Sequence, residues 1–227
     1  HTGYKPSMAS VHKDQSWIRA FVGIHHACAH GTLQRIAAIW TRSAQYEGVA
    51  VYGHPTLTEF LQRDQPWKQL VALNNILPKP IRDRETIQIG QLSIRALVVP
   101  HRDEISATYA YILEGPTKRA LFLPDIDKWE KWTVTIDSLL QQVDVAFLDA
   151  TFFDGSELPG RNLSEIPHPT VRETMERAQS WPHSVLQKVH LIHFNHTNPL
   201  LQEGSIAYKN LAAFGFQLSR VGDSIQL

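Results

Sequence analysis

Five hydrophobic runs in this chain each stop on an imidazole or a carboxylate. "FVGI" runs into His25, "LVVP" into His101, "LFLP" into Asp125, "VAFL" into Asp149 and "VHLI" into His193. Short runs rich in β-branched and aromatic residues, bounded by turn residues, predict buried strands. Such strands have no use for an imidazole unless something satisfies its nitrogens. Strand ends are also where a sheet can hold side chains from distant sequence positions rigidly in one cleft. A single such end reads more readily as a hydrogen-bonded rim residue than as a ligand. Five in one chain, three of them histidine, favour a shared metal. Imidazole and carboxylate together suit Zn, Fe or Mn, whereas Mg and Ca sites use oxygen alone.

Between these runs lie helical patterns, so strands and helices alternate and the class is α/β. Strands are expected at 18–24, 49–53, on both sides of Gly90, at 107–115, 119–125, 143–151 and 188–194, and at the C-terminus in "FQLSRVG" and "SIQL". Helices are expected at 32–48, after Pro55, from Trp129 to Leu140, at 168–181 and at 205–214. A chain of 227 residues is long enough for one sizeable core, and residues 1–227 read as a single domain opened by an irregular arm at 1–17.

Lys+Arg and Asp+Glu are both 22, so the formal charge is zero and gives no electrostatic case for nucleic acid or acidic membranes. No apolar run reaches the ~18–20 residues of a membrane span. The single cysteine, Cys28, excludes an intrachain disulfide framework and suits a reducing cytosol, so a cytoplasmic location is expected. Twelve histidines are many for this length, and point to histidine chemistry.

The segments "VPHRDEISATYAYILEGPTKRALFLPDIDKWEKW", "VDVAFLDATFFDGSELPGRNLSEIPHPTVRETM" and "LIHFNHTNPLL" resemble the coenzyme PQQ synthesis protein B family, within the metallo-β-lactamase superfamily. The resemblance runs from about Gly48 to the C-terminus. It implies a four-layer αβ/βα sandwich with a metal cleft along one sheet edge. It further implies that His101 is the superfamily's lone middle histidine ligand, Asp125 the carboxylate that can bridge two metals, and His193 the last histidine ligand. His168 in "IPHPT" resembles the helix-start histidine of the phosphodiesterase branch, which faces the substrate phosphate. Asp149 in "LDATFF" resembles that branch's acidic motif, whose carboxylate orients a neighbour. His196 and Asn198 match the family's own "NHTNP" at the cleft, with their role open.

The departure lies upstream. The superfamily's first cluster is His-x-His-x-(Asp/Gly)-His after a strand, but this chain has "IHHACAHG". His25 and His30 keep the outer spacing, Ala27 stands at the middle position, and His26 is one place early. His25, His26 and His30 remain metal candidates, with Cys28 as a substitute ligand. The family's glycine-rich opening strand and cysteine cluster have no counterpart. The fold is therefore expected either without its first strands or in a chain longer than these residues.

One or two divalent ions are implied, with a small-molecule or peptide-derived substrate, no nucleic-acid or membrane partner, and a homo-oligomer open. Three functions follow: an oxygenase-type step in cofactor biosynthesis, as the resemblance suggests; a metal-dependent hydrolase of the phosphodiesterase branch; or a non-catalytic binding or carrier protein with a degraded metal site.

Other candidates have plainer readings. His190 and His193, three apart on a strand, should face opposite ways, and the resemblance selects His193. His54 reads as a turn residue before Pro55, His12 and His183 as solvent-exposed, and Trp129 and Trp132 as packing. Asp127 reads as a helix cap, and Asp103 and Glu104 as orienters of an imidazole.

Overall fold

The computed structural model describes residues 47–104 and 106–227. The arm at 1–17, the strand at 18–24 and the helix expected from residue 32 lie outside the described residues.

Strand β1 (Val49–Gly53) pairs in parallel with β2 (Ile76–Pro80). Parallel neighbours need a crossover, and here it carries helices α1 (Pro55–Arg63) and α2 (Trp67–Ala72). Pro55 sits at the start of α1, where its missing N–H costs nothing. His54 caps that helix: its Nδ1 accepts from the Thr56 N–H at 3.3 Å. Leu57, Leu61 and Leu70 then close over Val49, Val51 and Ile76. Strand β2 has no sequence signal, because Pro78 and Pro80 remove ladder donors and "ILPKP" reads as loop.

The remaining strands form one seven-stranded sheet in chain order: β3 (Thr86–Ile89), β4 (Leu92–Val99), β5 (Thr108–Glu114), β6 (Arg119–Leu123), β7 (Val145–Asp149), β8 (Val189–Ile192) and β9 (Gln217–Leu218). Strands β3 to β6 pair antiparallel, and β6 to β9 pair parallel. Gly90, at φ +59°, turns β3 into β4 in a region open to glycine without steric cost. The parallel half is crossed by α3 (Ile136–Leu140), α4 (Val171–Arg177) with α5 (His183–Leu186), and α6 (Ile206–Phe214).

Strand parity explains the apolar runs. In β6 and β7, Leu121, Leu123, Ala146 and Leu148 join the helices in one core with Ile136, Leu140, Val171 and Leu211. Their neighbours Ala120 and Val145 face the second core, which holds Ile94, Ala96, Tyr109 and Ile81. A strand covered on both faces is apolar at every position, so polar side chains collect at its ends.

Direction decides which end. Strands β4 and β6 flank β5 antiparallel to it, and therefore run the same way; β7 and β8 run parallel to β6. The C-terminal ends of β4, β6, β7 and β8 thus share one sheet edge, the side on which ligands gather in open α/β sheets.

Three expectations are corrected. The helix at Trp129–Leu140 is two pieces, a 3-10 turn at Trp129–Lys131 and α3, because the β-branched run Thr133–Val134–Thr135 between them is extended at Thr135. The helix at 168–181 begins at Val171, capped by Thr170, so His168 lies outside it. "SIQL" forms no strand; Leu227 instead packs against Gly115 at the end of β5. Among the described residues no helix is long and apolar enough to cross a membrane.

Asp137 ties α3 to the end of the α4 segment, accepting from Trp181 Nε1 at 2.6 Å and from the Arg177 guanidinium. Burial opposes ionisation, but the hydrogen bonds from Arg177 and Trp181 hold its carboxyl below the usual carboxylate range. A lowered folded-state pKa stabilises the protein above the unfolded value, about 4, and that stability is lost as pH falls through the folded value. Asp137→Asn should therefore cost about 1 kcal/mol at neutral pH, solvent screening allowed for. Thermal melts should show the gap to wild type closing below pH ~4; an equal gap at all pH values would contradict an ionic contribution.

Candidate metal centre

Asp149, the last residue of β7, is fully buried. Its Oδ1 accepts from the Thr151 N–H at 2.9 Å and hydroxyl at 2.6 Å. Its Oδ2 accepts from the Ile126 N–H at 3.3 Å and from His168 Nδ1 at 2.6 Å. Burial opposes its charge, yet the hydrogen bond from His168 and the nearby imidazole of His193 hold the carboxyl well below the usual range. An ionised carboxylate only accepts, so His168 Nδ1 carries the proton of that bond. Thr151 has one hydroxyl proton, given to Asp149; its oxygen then lies 3.0 Å from His193 Nδ1 as an acceptor.

Asp125 leaves β6 through Pro124 and is also buried. Its Oδ1 lies 3.8 Å from His101 Nε2 and 3.5 Å from His193 Nδ1. Its Oδ2 is buried and has no hydrogen-bond partner among the described residues. Neighbouring strands stand ~4.8 Å apart, so side chains from β4, β6 and β8 meet only because their exit loops turn inward. His101 follows β4 after Pro100, and its burial pushes the imidazole below its ordinary value despite the nearby Asp125. For His193 burial acts the same way, but the nearby carboxylates of Asp149 and Asp125 raise it on balance.

His193 reaches the cluster by a route that alternation does not describe. Strand β8 stops at Ile192, and His193 adopts φ +64°, a left-handed conformation uncommon outside glycine. The adjoining backbone is pinned to the β7 exit: Ala150 N donates to Ile192 O and Asn195 N to Thr151 O, each at 2.9 Å. His190 stands beside Phe147 on the neighbouring strand, its ring 5.5 Å from that of Phe147.

One donor atom from each of Asp125, Asp149, His168 and His193 lies within 4.8 Å of the others, and His101 joins them through Asp125. The hydrogen bonds sort this set. Both oxygens of Asp149 are engaged, which makes it a holder of neighbouring groups. The buried Oδ2 of Asp125, unpartnered among the described residues, is costly unless something satisfies it, and a cation would do so. Three imidazoles with two carboxylates is a donor set suited to a divalent transition metal.

The other candidates sit elsewhere. His25, His26 and His30, with Cys28, lie outside the described residues. His196 is exposed, its Nδ1 3.1 Å from Asn195 Oδ1. Asn198 is buried and donates to Ala150 O at 2.8 Å and Thr151 O at 3.3 Å, while its Oδ1 caps the 3-10 turn at Leu200 N. Asp103 and Glu104 are exposed. Asp127 accepts from the Lys128 N–H and pairs with Lys131. Thr151 was not singled out in the sequence, although "DAT" carries a readable signal, an Asp bonding backbone two residues on.

Asn198→Ala should cost about 2 kcal/mol, since it strips two buried carbonyls of a donor, whereas His196→Ala should stay within about 0.5 kcal/mol. Denaturant unfolding compares the two; equal losses would contradict the difference in burial.

The family model for the Beta-lactamase superfamily domain matches residues 8–194. No curated protein sequence matches the chain. Among solved structures, Zn2+-bound PqqB from Methylobacterium extorquens superposes with a TM-score of 0.62 at 19% identity, covering 79% of this chain and 65% of that one. This chain therefore spans less than two-thirds of the PqqB chain. The metallo-beta-lactamase fold protein YhfI from Bacillus subtilis gives 0.56 at 12% identity, over 86% and 72% of the two chains. Unliganded yeast PDE1 gives 0.53 at 11% identity, over 80% and 61%. At such identities the likeness is one of fold, and it agrees with the large mixed sheet and its helical crossovers. With the family model spanning most of its length, this chain belongs to the β-lactamase superfamily and has the metallo-β-lactamase fold.

Proposed function

We propose that this protein is a metal-dependent hydrolase of an ester or phosphodiester in a small-molecule or peptide-derived substrate. The observation that carries this reading is the 2.6 Å bond from His168 Nδ1 to the buried Asp149, set against the Asp125–His193 group. A buried carboxylate behind an imidazole fixes its tautomer and orientation and stabilises the imidazolium. With Nδ1 committed, Nε2 makes no hydrogen bond among the described residues and is the nitrogen available to a substrate. An imidazole held in this way can hand a proton to a leaving oxygen.

His101, Asp125 and His193 would hold the metal, with His25, His26 and His30 as further ligands for one ion or a second. When bound, a divalent cation at an open position supplies Lewis acidity and lowers the pKa of its water to about 7. The chain's own part is to hold His168 on Asp149, keep the donors dry and present Nε2. The edge of Phe152 against His168, ring centres 6.1 Å apart, buttresses that imidazole.

A second reading, an oxygenase-type step in cofactor biosynthesis, is supported by the motif resemblance to the PQQ synthesis protein B family. It requires iron, and a donor set of histidines and carboxylates suits iron as well as zinc.

Elemental analysis of purified protein should find Zn, Mn or Fe. Asp125→Ala and His193→Ala should each lower the bound metal at least about tenfold, while His190→Ala leaves it unchanged. His168→Ala should keep most of the metal yet slow cleavage of bis(p-nitrophenyl) phosphate by about 10²–10⁴ in kcat. Metal-loaded protein that cleaves no ester but consumes oxygen with iron bound would select the second reading. No metal above background would sink both.

A further inference from the structure

Lys128 is buried, and its ammonium has three protons for three acceptors: His168 O at 3.0 Å, and Glu173 Oε1 and Oε2 at 3.0 and 2.8 Å. A buried ammonium is tolerated only when its protons are bonded and its charge is paired. Glu173 serves twice, since it also accepts the Thr170 N–H that opens α4. His168 stands between Pro167 and Pro169, neither of which offers an N–H.

The segment that carries Lys128 is also bonded to the exits of β4 and β7. Asp127 N donates to Pro100 O, one residue before His101, at 2.7 Å. Ile126 N donates to Asp149 Oδ2 at 3.3 Å. Asp125 itself opens the segment, and Lys128 closes it by gripping the His168 backbone. The loop that ends β6 therefore sets His168 relative to Asp149 and His101 at once.

We propose that Lys128, paired with Glu173, is a positioning residue that fixes the His168 imidazole on Asp149. The pair does not touch the substrate. Its catalytic relevance rests on the hydrolase reading, whereas its grip on His168 does not. A role confined to stabilising α4 would lower the melting temperature and leave the imidazole's bond intact.

The test uses the full chain, metal-free and isotopically labelled, and reads the ring Nδ1–H resonance of His168, identified by its loss in His168→Gln. Lys128→Met keeps the apolar stem and removes the charge. Glu173→Gln keeps an acceptor for the Thr170 N–H and removes the counter-ion. Both should move that resonance upfield or broaden it in protein that remains folded by circular dichroism. With metal restored, both should lower kcat on bis(p-nitrophenyl) phosphate by about tenfold or more, with KM nearly unchanged and metal content within twofold. An unmoved resonance in either folded variant overturns the proposal, and if Lys128→Met does not fold, Glu173→Gln decides. A moved resonance in a protein without phosphodiesterase activity upholds the positioning role and removes the hydrolase reading alone.

Discussion

The carboxylate of Asp149 is the group on which the site depends. An ion with no solvent exposure costs several kcal/mol unless its oxygens are bonded and its charge compensated. Four donors meet that need, from Thr151 twice, from Ile126 and from His168. They come from three loops far apart in sequence. Satisfying one buried charge therefore brings the β6 exit, the β7 exit and the start of α4 to one place. His193 is added through the Thr151 hydroxyl, within reach of the same carboxylate.

The sheet makes this convergence available. Because helices cover one face and the β1–β2 layer side the other, the central strands are apolar throughout. Chemistry is left to the exits. The antiparallel insertion of β5 between β4 and β6 keeps their exits on one edge, and the parallel pairing of β7 and β8 adds theirs. Without that order, His101 and His193 would lie on opposite rims. The exit loops then matter as much as the strands, since Pro124, the DAT turn and the left-handed His193 aim the side chains inward.

Much of the arrangement is legible in particular residues. The apolar runs before His101, Asp125, Asp149 and His193 mark strands because a sheet buried on both faces takes apolar side chains, β-branched and aromatic ones above all. The parity argument separating His190 from His193 does not apply at the strand end. It treats the strand as continuing through His193, whereas the strand stops at Ile192 and a positive φ turns the side chain. Strand β2 is invisible because its prolines mimic a loop. The Trp129–Leu140 helix is legible only as apolar spacing, and three β-branched residues within it break the backbone.

By itself, the sequence determined the class of fold, the strands that build the edge and the imidazole or carboxylate at which each one stops. These follow from local patterns: apolar content, period and the residue at which a run stops. Only the tertiary structure decided that Asp149 is spent on hydrogen bonds while Asp125 keeps a buried oxygen unbonded among the described residues. It alone showed Lys128 gripping the loop that carries His168. Such assignments depend on distances between groups remote in the chain, set by burial and by the demand of every buried polar atom for a partner, and no local pattern records them.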